Sequence, residues 1–266
     1  MSKIYEALEK ARQKKQSDKN FDIIPLGDDK KGEPEDIVVL QEPDSHMAEC
    51  FRFLRSKVIR PASGTPPRTI LVTSALMDEG KTFVACNLAV SISQSLEEHV
   101  LLIDADLRAP AVHEIFGIRA FKQGLSTFLA GQMSLPELLR KTRINKLTVL
   151  PAGNSTMIPS ELLSSVRMKA LLKEVRDRYA DRFVIIDSPP LELTPETSVL
   201  ANEVDALILV VRHGKTPRDA VKKAMEKIQK EKLLGIVFNG YDEPLKHYGS
   251  YAHYKYGNRG KPGKKK

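Results

Sequence analysis

Tryptophan is missing from this 266-residue chain, aromatic residues make up only 6% of it, and there are two cysteines. Cys50 and Cys86 lie far apart and neither belongs to a Cys-x-x-Cys pair. That excludes a disulfide-stapled fold or a dithiol redox centre, and both thiols are expected to be reduced and buried. The six histidines, His46, His99, His113, His213, His247 and His253, show no zinc-type spacing, so a metal held by His or Cys is not expected. Long apolar runs are lacking as well. The longest stretch without a charged side chain, Thr82 to Leu96, carries Asn87, Gln94 and several serines and is unsuited to crossing a bilayer. The opening Met1-Ser-Lys-Ile-Tyr-Glu-Ala-Leu-Glu-Lys has no apolar segment and no small-residue cleavage site. No secretory signal is read there, and the cytoplasm is the expected address.

What is present begins with 41% hydrophobic residues, enough for one large domain or two small ones. The 42 basic and 34 acidic side chains leave a net charge of +8, unevenly placed. From Tyr241 to Lys266, seven basic residues stand against Asp242 and Glu243. Such a tail suits an anionic surface, phospholipid headgroups or nucleic acid, and equally suits a solvated chain end.

Three regions follow from the patterning. Residues 1–44 read as a short amphipathic helix over 2–15, with Ile4, Leu8 and Ala11 on one stripe, and then a charged linker containing Pro25, Gly27, Gly32, Pro34 and Pro43. Residues 45–240 read as the folded domain. It opens with a helix from an N-cap at Ser45 to Ile59, Met47, Phe51 and Leu54 facing the core and Pro61 stopping it. Residues 241–266 form a tyrosine-rich basic tail. Within the domain, apolar runs at 70–72, 100–103, 147–150, 183–186, 206–211 and 234–238 alternate with helical stretches. These runs do not alternate polar with apolar, as a strand covered on both faces requires. The expected fold is α/β, a doubly wound and mostly parallel sheet, in which ligands gather at the carboxyl ends of the strands.

The residues just beyond those runs carry the chemistry. After the first run come Ala75-Leu-Met-Asp78-Glu79-Gly80-Lys81-Thr82 and then a helix beginning near Phe83. This fits a phosphate loop with alanine in place of its first glycine: backbone N–H groups at a helix N-terminus, a lysine for the β and γ phosphates and a hydroxyl for magnesium. Asp78 stands where glycine is common, at a cost of about 1 kcal/mol in backbone freedom. Two further runs end in Leu102-Ile-Asp104-Ala-Asp106-Leu-Arg108 and in Val184-Ile-Ile-Asp187-Ser-Pro-Pro. Carboxylates at strand ends are costly to bury unless a cation compensates them, and a magnesium ion on nucleotide phosphates does so. Asp187 reads as an outer-sphere orienter of that ion. Of Asp104 and Asp106, one serves the metal region and the other accepts a proton from an attacking hydroxyl. Helix capping or ion pairing with Arg108 is the plainer use of the same residues.

Together the three motifs resemble those of the bacterial tyrosine kinases, the P-loop autokinases of capsule and exopolysaccharide synthesis, and the resemblance spans nearly the whole chain. The first eleven residues are similar to the start of exosortase-associated members. The resemblance implies a P-loop NTPase fold of the deviant Walker group, which also holds partition and division-site ATPases. It implies ATP and magnesium bound by residues 78–83 with Arg108, metal held near Thr82, Asp104 and Asp187, and Lys81, Asp104, Asp106 and Asp187 as the catalytic set. Glu49, Arg52 and Arg55, at i, i+3 and i+6 of one helix, resemble the family's self-association motif. Five of the seven tyrosines lie in the last 26 residues. In such kinases a C-terminal tyrosine cluster accepts phosphate from a neighbouring subunit, which points to Tyr248, Tyr251, Tyr254 and Tyr256. Each phosphate adds roughly −1.5 to −2 charges and reverses the tail's sign after a few turnovers. The implied partners are other copies of this chain, a transmembrane polysaccharide co-polymerase that activates it at the inner face of the plasma membrane, and a tyrosine phosphatase. Nucleic acid, which the tail's tyrosines would bind by stacking, is not among them. Two rivals remain: a positioning ATPase of the partition type, in which Leu76 would ordinarily be lysine, and a nucleotide switch without catalysis, which Asp78 favours.

Overall fold

A computed structural model describes residues 37–61, 64–118, 122–178 and 182–241. The expected helix over 2–15 and the four candidate acceptor tyrosines lie outside these residues. Seven strands form one sheet in the order β3-β4-β2-β5-β1-β6-β7. They are β1 (Thr69–Ser74), β2 (His99–Asp104), β3 (Arg140–Lys141), β4 (Leu147–Leu150), β5 (Arg182–Asp187), β6 (Ala206–Arg212) and β7 (Leu233–Asn239). Six of them run parallel, and β3 is a two-residue antiparallel edge on β4. Periodicity does not reveal β3, because two residues are too few to show a pattern.

Every residue of β1 and β5 is buried, in keeping with the continuous apolar stretches Ile70–Val72 and Phe183–Ile186 between their polar ends. Alternate residues feed two separate cores. Leu71, Ile103, Ile186 and Leu209 face one. Over it lie α5 (Leu125–Leu129), α6 (Leu135–Leu138), α7 (Pro159–Leu163), α8 (Val166–Arg178), α9 (Pro195–Glu203) and α10 (Arg218–Glu226). Ile70, Val72, Leu102, Ile185 and Ile208 face the other, beneath α1 (Val38–Gln41), α2 (His46–Ile59), α3 (Lys81–Ser93) and α4 (Val112–Ile115). Residues Val84 through Ser93 of α3 are all buried. A helix apolar on every side must be covered on every side. Here the sheet covers one flank and α2 the other, with Phe51 meeting Phe83 edge-to-face at 5.8 Å and Ser91 donating to the Phe51 carbonyl at 3.3 Å.

The helix expected from Ser45 to Ile59 is present, and the Ser45 side chain accepts from the Ala48 N–H at 3.1 Å. Its inward face is Ala48, Phe51 and Val58, flanked by Leu54. Met47 is nonetheless 46% exposed: it lies four residues before Phe51 on the same face, but in the first turn, at the end of the helix, where the buried face begins only at Ala48. Cys50 is exposed, against the expectation, whereas Cys86 is buried in α3 as expected. Residues assigned to the linker also join the core: Ile37 and Val39 are fully covered by the α3 side, and the Val39 N–H donates to Asn87 Oδ1 at 3.4 Å. The packed part of the chain therefore reaches back to residue 37 at least. Ile37→Ala is expected to lower unfolding stability by about 2–5 kcal/mol, whereas Met47→Ala stays within about 0.5 kcal/mol, as read by chemical denaturation.

Candidate active site

The sheet order places the three chemical motifs side by side, since β5 lies between β1 and β2. Asp104 and Asp187 are register partners at the ends of β2 and β5, and Asp187 is also paired with Val72 of β1, three residues before the loop begins at Ala75. β1 connects outward to β2 on one side and has β6 on the other, so its carboxyl end is a switch point where the connections part and leave a crevice.

The loop after β1 turns into α3 through two left-handed residues, Asp78 at φ +58° and Gly80 at φ +87°. Asp78 is exposed, so its carboxylate stands in solvent, where repulsion toward a bound phosphate is screened. Gly80 is required twice over, by its backbone angle and because a Cβ there would lie 2.0 Å from Asn239 Nδ2. The first helical bond runs from Val84 N–H to the Gly80 carbonyl. The N–H groups of Lys81, Thr82 and Phe83 precede it and have no acceptor within the helix, which is the arrangement that receives an anion. Phe83 contributes at most this N–H, because its ring packs on Phe51.

Side chains converge at the start of α3. Lys81 Nζ pairs with Asp106 Oδ2 at 3.0 Å, and Thr82 Oγ1 donates to Asp187 Oδ2 at 2.7 Å. The other Asp106 oxygen accepts from Ala109 N–H at 3.0 Å. Asp104 accepts from the N–H groups of Asp106 and Val112, each at 3.2 Å. Asp187 Oδ1 is buried without a hydrogen-bond partner. Asp104 and Asp187 are wholly buried and Asp106 nearly so. Three carboxylates against one ammonium leave an excess of buried negative charge, and the protonation equilibria record it. Burial, with Asp187 and Asp106 beside it, pushes Asp104 well above the usual carboxylate range despite its two backbone donors. Burial raises Asp187 from 3.8 to about 7, opposed by Lys81 and Thr82. Burial would lower the Lys81 ammonium, but the charges of Asp187, Asp106 and Asp104 outweigh it and raise it.

Other expected residues are placed differently. The Arg108 guanidinium donates to Glu196 Oε1 at 2.9 Å and to Ser160 Oγ at 3.1 Å, and Ser160 in turn donates to Glu196 Oε2 at 2.9 Å. Glu196 and Ser160 escaped sequence reasoning. Their one visible signal was a position just after a helix-starting proline, Pro195 and Pro159. The Glu79 side chain is buried and accepts from the Leu76 N–H and the Thr216 hydroxyl. On α2, Glu49 pairs with Arg52, which also reaches the Pro43 carbonyl, while Arg55 donates to the Ser91 carbonyl at 2.9 Å. Among the described residues, no group of three or more His, Cys, Asp or Glu side chains is arranged to hold a metal by itself. No helix among them is long and apolar enough to cross a membrane.

Comparison with known proteins bears on this constellation. The AAA domain family matches residues 69–233, from β1 to the start of β7. Tyrosine-protein kinase YwqD of Bacillus subtilis is 34% identical over 220 residues, covering 82% of this chain and 90% of that one. The chain belongs to the bacterial tyrosine-protein kinase family. Solved structures share its fold. The chimerical protein CapA2B2 matches with a TM-score of 0.71 at 32% identity, over 78% of this chain and 91% of the other. The kinase domain of Escherichia coli tyrosine kinase Etk matches with a TM-score of 0.70 at 30% identity, over 78% and 82%. The septum site-determining protein MinD of Pyrococcus horikoshii, solved with Mg-ADP, shares the fold at 22% identity and a TM-score of 0.53. The expected fold class, a parallel sheet of the kind shared by these kinases and MinD-like ATPases, is the one observed.

The raised carboxyl groups have a thermodynamic consequence. Between about pH 4 and 7 the folded state of Asp187 holds a proton that the unfolded state has released. Stability from this source is therefore full below about pH 4 and is lost as pH rises through about 7. Nucleotide-free protein is expected to melt at progressively lower temperature across that window, and Asp187→Asn to decline less steeply, measured by scanning calorimetry. Equal slopes for the two proteins would contradict the assignment.

Proposed function

We propose that this chain is an ATP-dependent protein-tyrosine autokinase that regulates capsular or exopolysaccharide synthesis, chain length and export. The observation that carries the reading is the pair of contacts at the start of α3, Lys81 to Asp106 and Thr82 to Asp187, on a helix N-terminus facing three buried carboxylates. The residues suit a magnesium ion: the orphaned Asp187 Oδ1 and the excess of buried negative charge both call for a cation, and Thr82 supplies a hydroxyl beside them. Thr82, Asp104 and Asp187 would hold it with the nucleotide, where it neutralises charge on the β and γ phosphates.

The chain's own groups then divide the work. Residues 78–83 offer backbone N–H groups to the phosphates, and Lys81, released from Asp106, pairs with phosphate oxygens. Asp106 Oδ2, freed by that exchange, accepts the proton of an incoming tyrosine hydroxyl. The phenolic oxygen bonds to the γ-phosphorus as the bond from that phosphorus to the ADP oxygen breaks, and the negative charge leaves with ADP. The acceptors are Tyr248, Tyr251, Tyr254 and Tyr256 of another copy. Glu49, Arg52 and Arg55 on α2 contribute to assembly of the copies. A transmembrane co-polymerase brings this cytoplasmic kinase to the inner face of the plasma membrane and activates it, and a tyrosine phosphatase resets the tail. The chain divides into an N-terminal arm, a kinase domain whose packed part reaches back from residue 45 to residue 37, and a tyrosine-rich basic tail from residue 241.

The test is a complementation assay with ATP, magnesium and the cytoplasmic end of the cognate co-polymerase, read with an anti-phosphotyrosine antibody. Lys81→Ala and a chain ending before Tyr248 are each expected to lose the signal by about 100-fold or more. Mixed, they should recover it, on the Lys81→Ala copy. ATP turnover with no phosphotyrosine in any sample would assign the protein to the positioning ATPases.

A further inference from the structure

The phosphate loop carries one buried carboxylate that the proposed reaction leaves unused. Glu79 is buried, 3% exposed, one residue from Gly80 and two from Lys81. A carboxylate in that position is doubly unfavourable, because it is out of water and adds negative charge beside a site for polyanions. Its retention needs partners, and the structure supplies them for both oxygens. Oε2 accepts the Leu76 N–H at 2.9 Å, closing the loop from its fourth-from-last residue back to its start. Oε1 accepts the hydroxyl of Thr216, which itself accepts the Arg212 N–H at 3.0 Å. The Glu79 carbonyl accepts from Asn239 Nδ2 at 2.9 Å. Asn239 is fixed in turn, its carbonyl accepting the His213 N–H at 2.9 Å, and the His213 and Tyr241 rings meet edge-to-face at 4.7 Å.

Three segments distant in sequence thus meet on one residue: the loop after β1, the turn after β6 and the end of β7. The last of these leads at Tyr241 into the tyrosine-bearing tail. We propose that Glu79 is a positioning residue that staples the phosphate loop internally through Leu76 and fastens it through Thr216 to the turn beside which the tail departs. Its carboxylate shapes the loop whose backbone N–H groups face the anion, so nucleotide affinity depends on the anchoring of the turn after β6. This inference rests on the loop being the nucleotide site, and its test separates the two ideas.

The experiment measures the affinity of the full chain for a fluorescent ADP with magnesium, together with melting temperature. Thr216→Val, which keeps the shape and removes the hydroxyl, is expected to weaken ADP about 10-fold, the effect of losing one bond to a buried carboxylate. Thr216→Ser, which keeps the hydroxyl, is expected to bind as wild type does. Glu79→Gln weakens ADP as well, and adding Thr216→Val to it changes nothing further, because Thr216 acts through Glu79. In the kinase assay the Thr216→Val defect falls on KM for ATP, with kcat within about 3-fold. Wild-type affinity in Thr216→Val, equal losses in the Val and Ser variants, or additive losses in the double variant would each overturn the staple. A wild-type chain that binds no ADP would overturn the nucleotide site and the staple with it.

Discussion

One lysine set against three buried carboxylates is the constraint around which this molecule is organised. Lys81 neutralises one charge, and its contact with Asp106 leaves Asp104 and Asp187 uncompensated at the ends of adjacent strands. A fold selected for stability alone would replace such a group with apolar residues of similar size. Here the surroundings are built to keep it: backbone donors on Asp104, a threonine hydroxyl on Asp187, and one Asp187 oxygen left empty-handed. The free protein relieves the strain by holding protons on carboxyl groups, and a polyphosphate with its cation relieves it by bringing positive charge to the acids and anionic oxygens to the lysine.

The sheet makes that juxtaposition rigid. Asp104 and Asp187 share a register pair, and the helix that presents Lys81 and Thr82 is buried along nearly its whole length between sheet and α2. Positions of these groups are therefore fixed by packing on both faces, not by the loop alone. The loop gains its own restraint from Glu79. Its two ends are joined by Leu76 N–H and it is fastened to Thr216 and Asn239, so a segment with two left-handed residues keeps one shape. Rigidity of this kind is what phosphoryl transfer asks of a protein, since positioning and charge provide most of the rate.

Much of this was legible in the amino-acid order because the physics behind it is local. Strands covered on both faces must be continuous apolar runs, and β1, β2, β4, β5 and β6 read as such, while β7 is legible from its apolar residues although it is an edge strand with Ile236 and Phe238 exposed. The loop and the two Asp-terminated strands are short contiguous words, and the sheet order brings them together. What stayed hidden depends on the third dimension. Met47 and Ala48 are adjacent and apolar, and which of them faces inward is decided by the placement of α2 over α3. Ile37 and Val39 sit in a stretch of linker composition, yet they pack into the core on the α3 side, where the Val39 N–H donates to Asn87. The motifs imply nucleotide contacts at Glu79 and Arg108 but do not show which protein groups these residues bond. Their partners Thr216, Asn239, Ser160 and Glu196 lie between 52 and 160 residues away. No spacing rule signals a contact at that distance.

The central claim is that the carboxylate cluster exists to be compensated by a cation brought with nucleotide. Calorimetric titration of preformed magnesium–ADP at about pH 6.5, repeated in buffers of different ionisation enthalpy, measures it directly. With Asp187 raised to about 7, compensation must expel protons. The account predicts a binding enthalpy that varies with buffer, by an amount reporting net proton release, and a smaller release for Asp187→Asn. An enthalpy identical in every buffer, for both proteins, would contradict it.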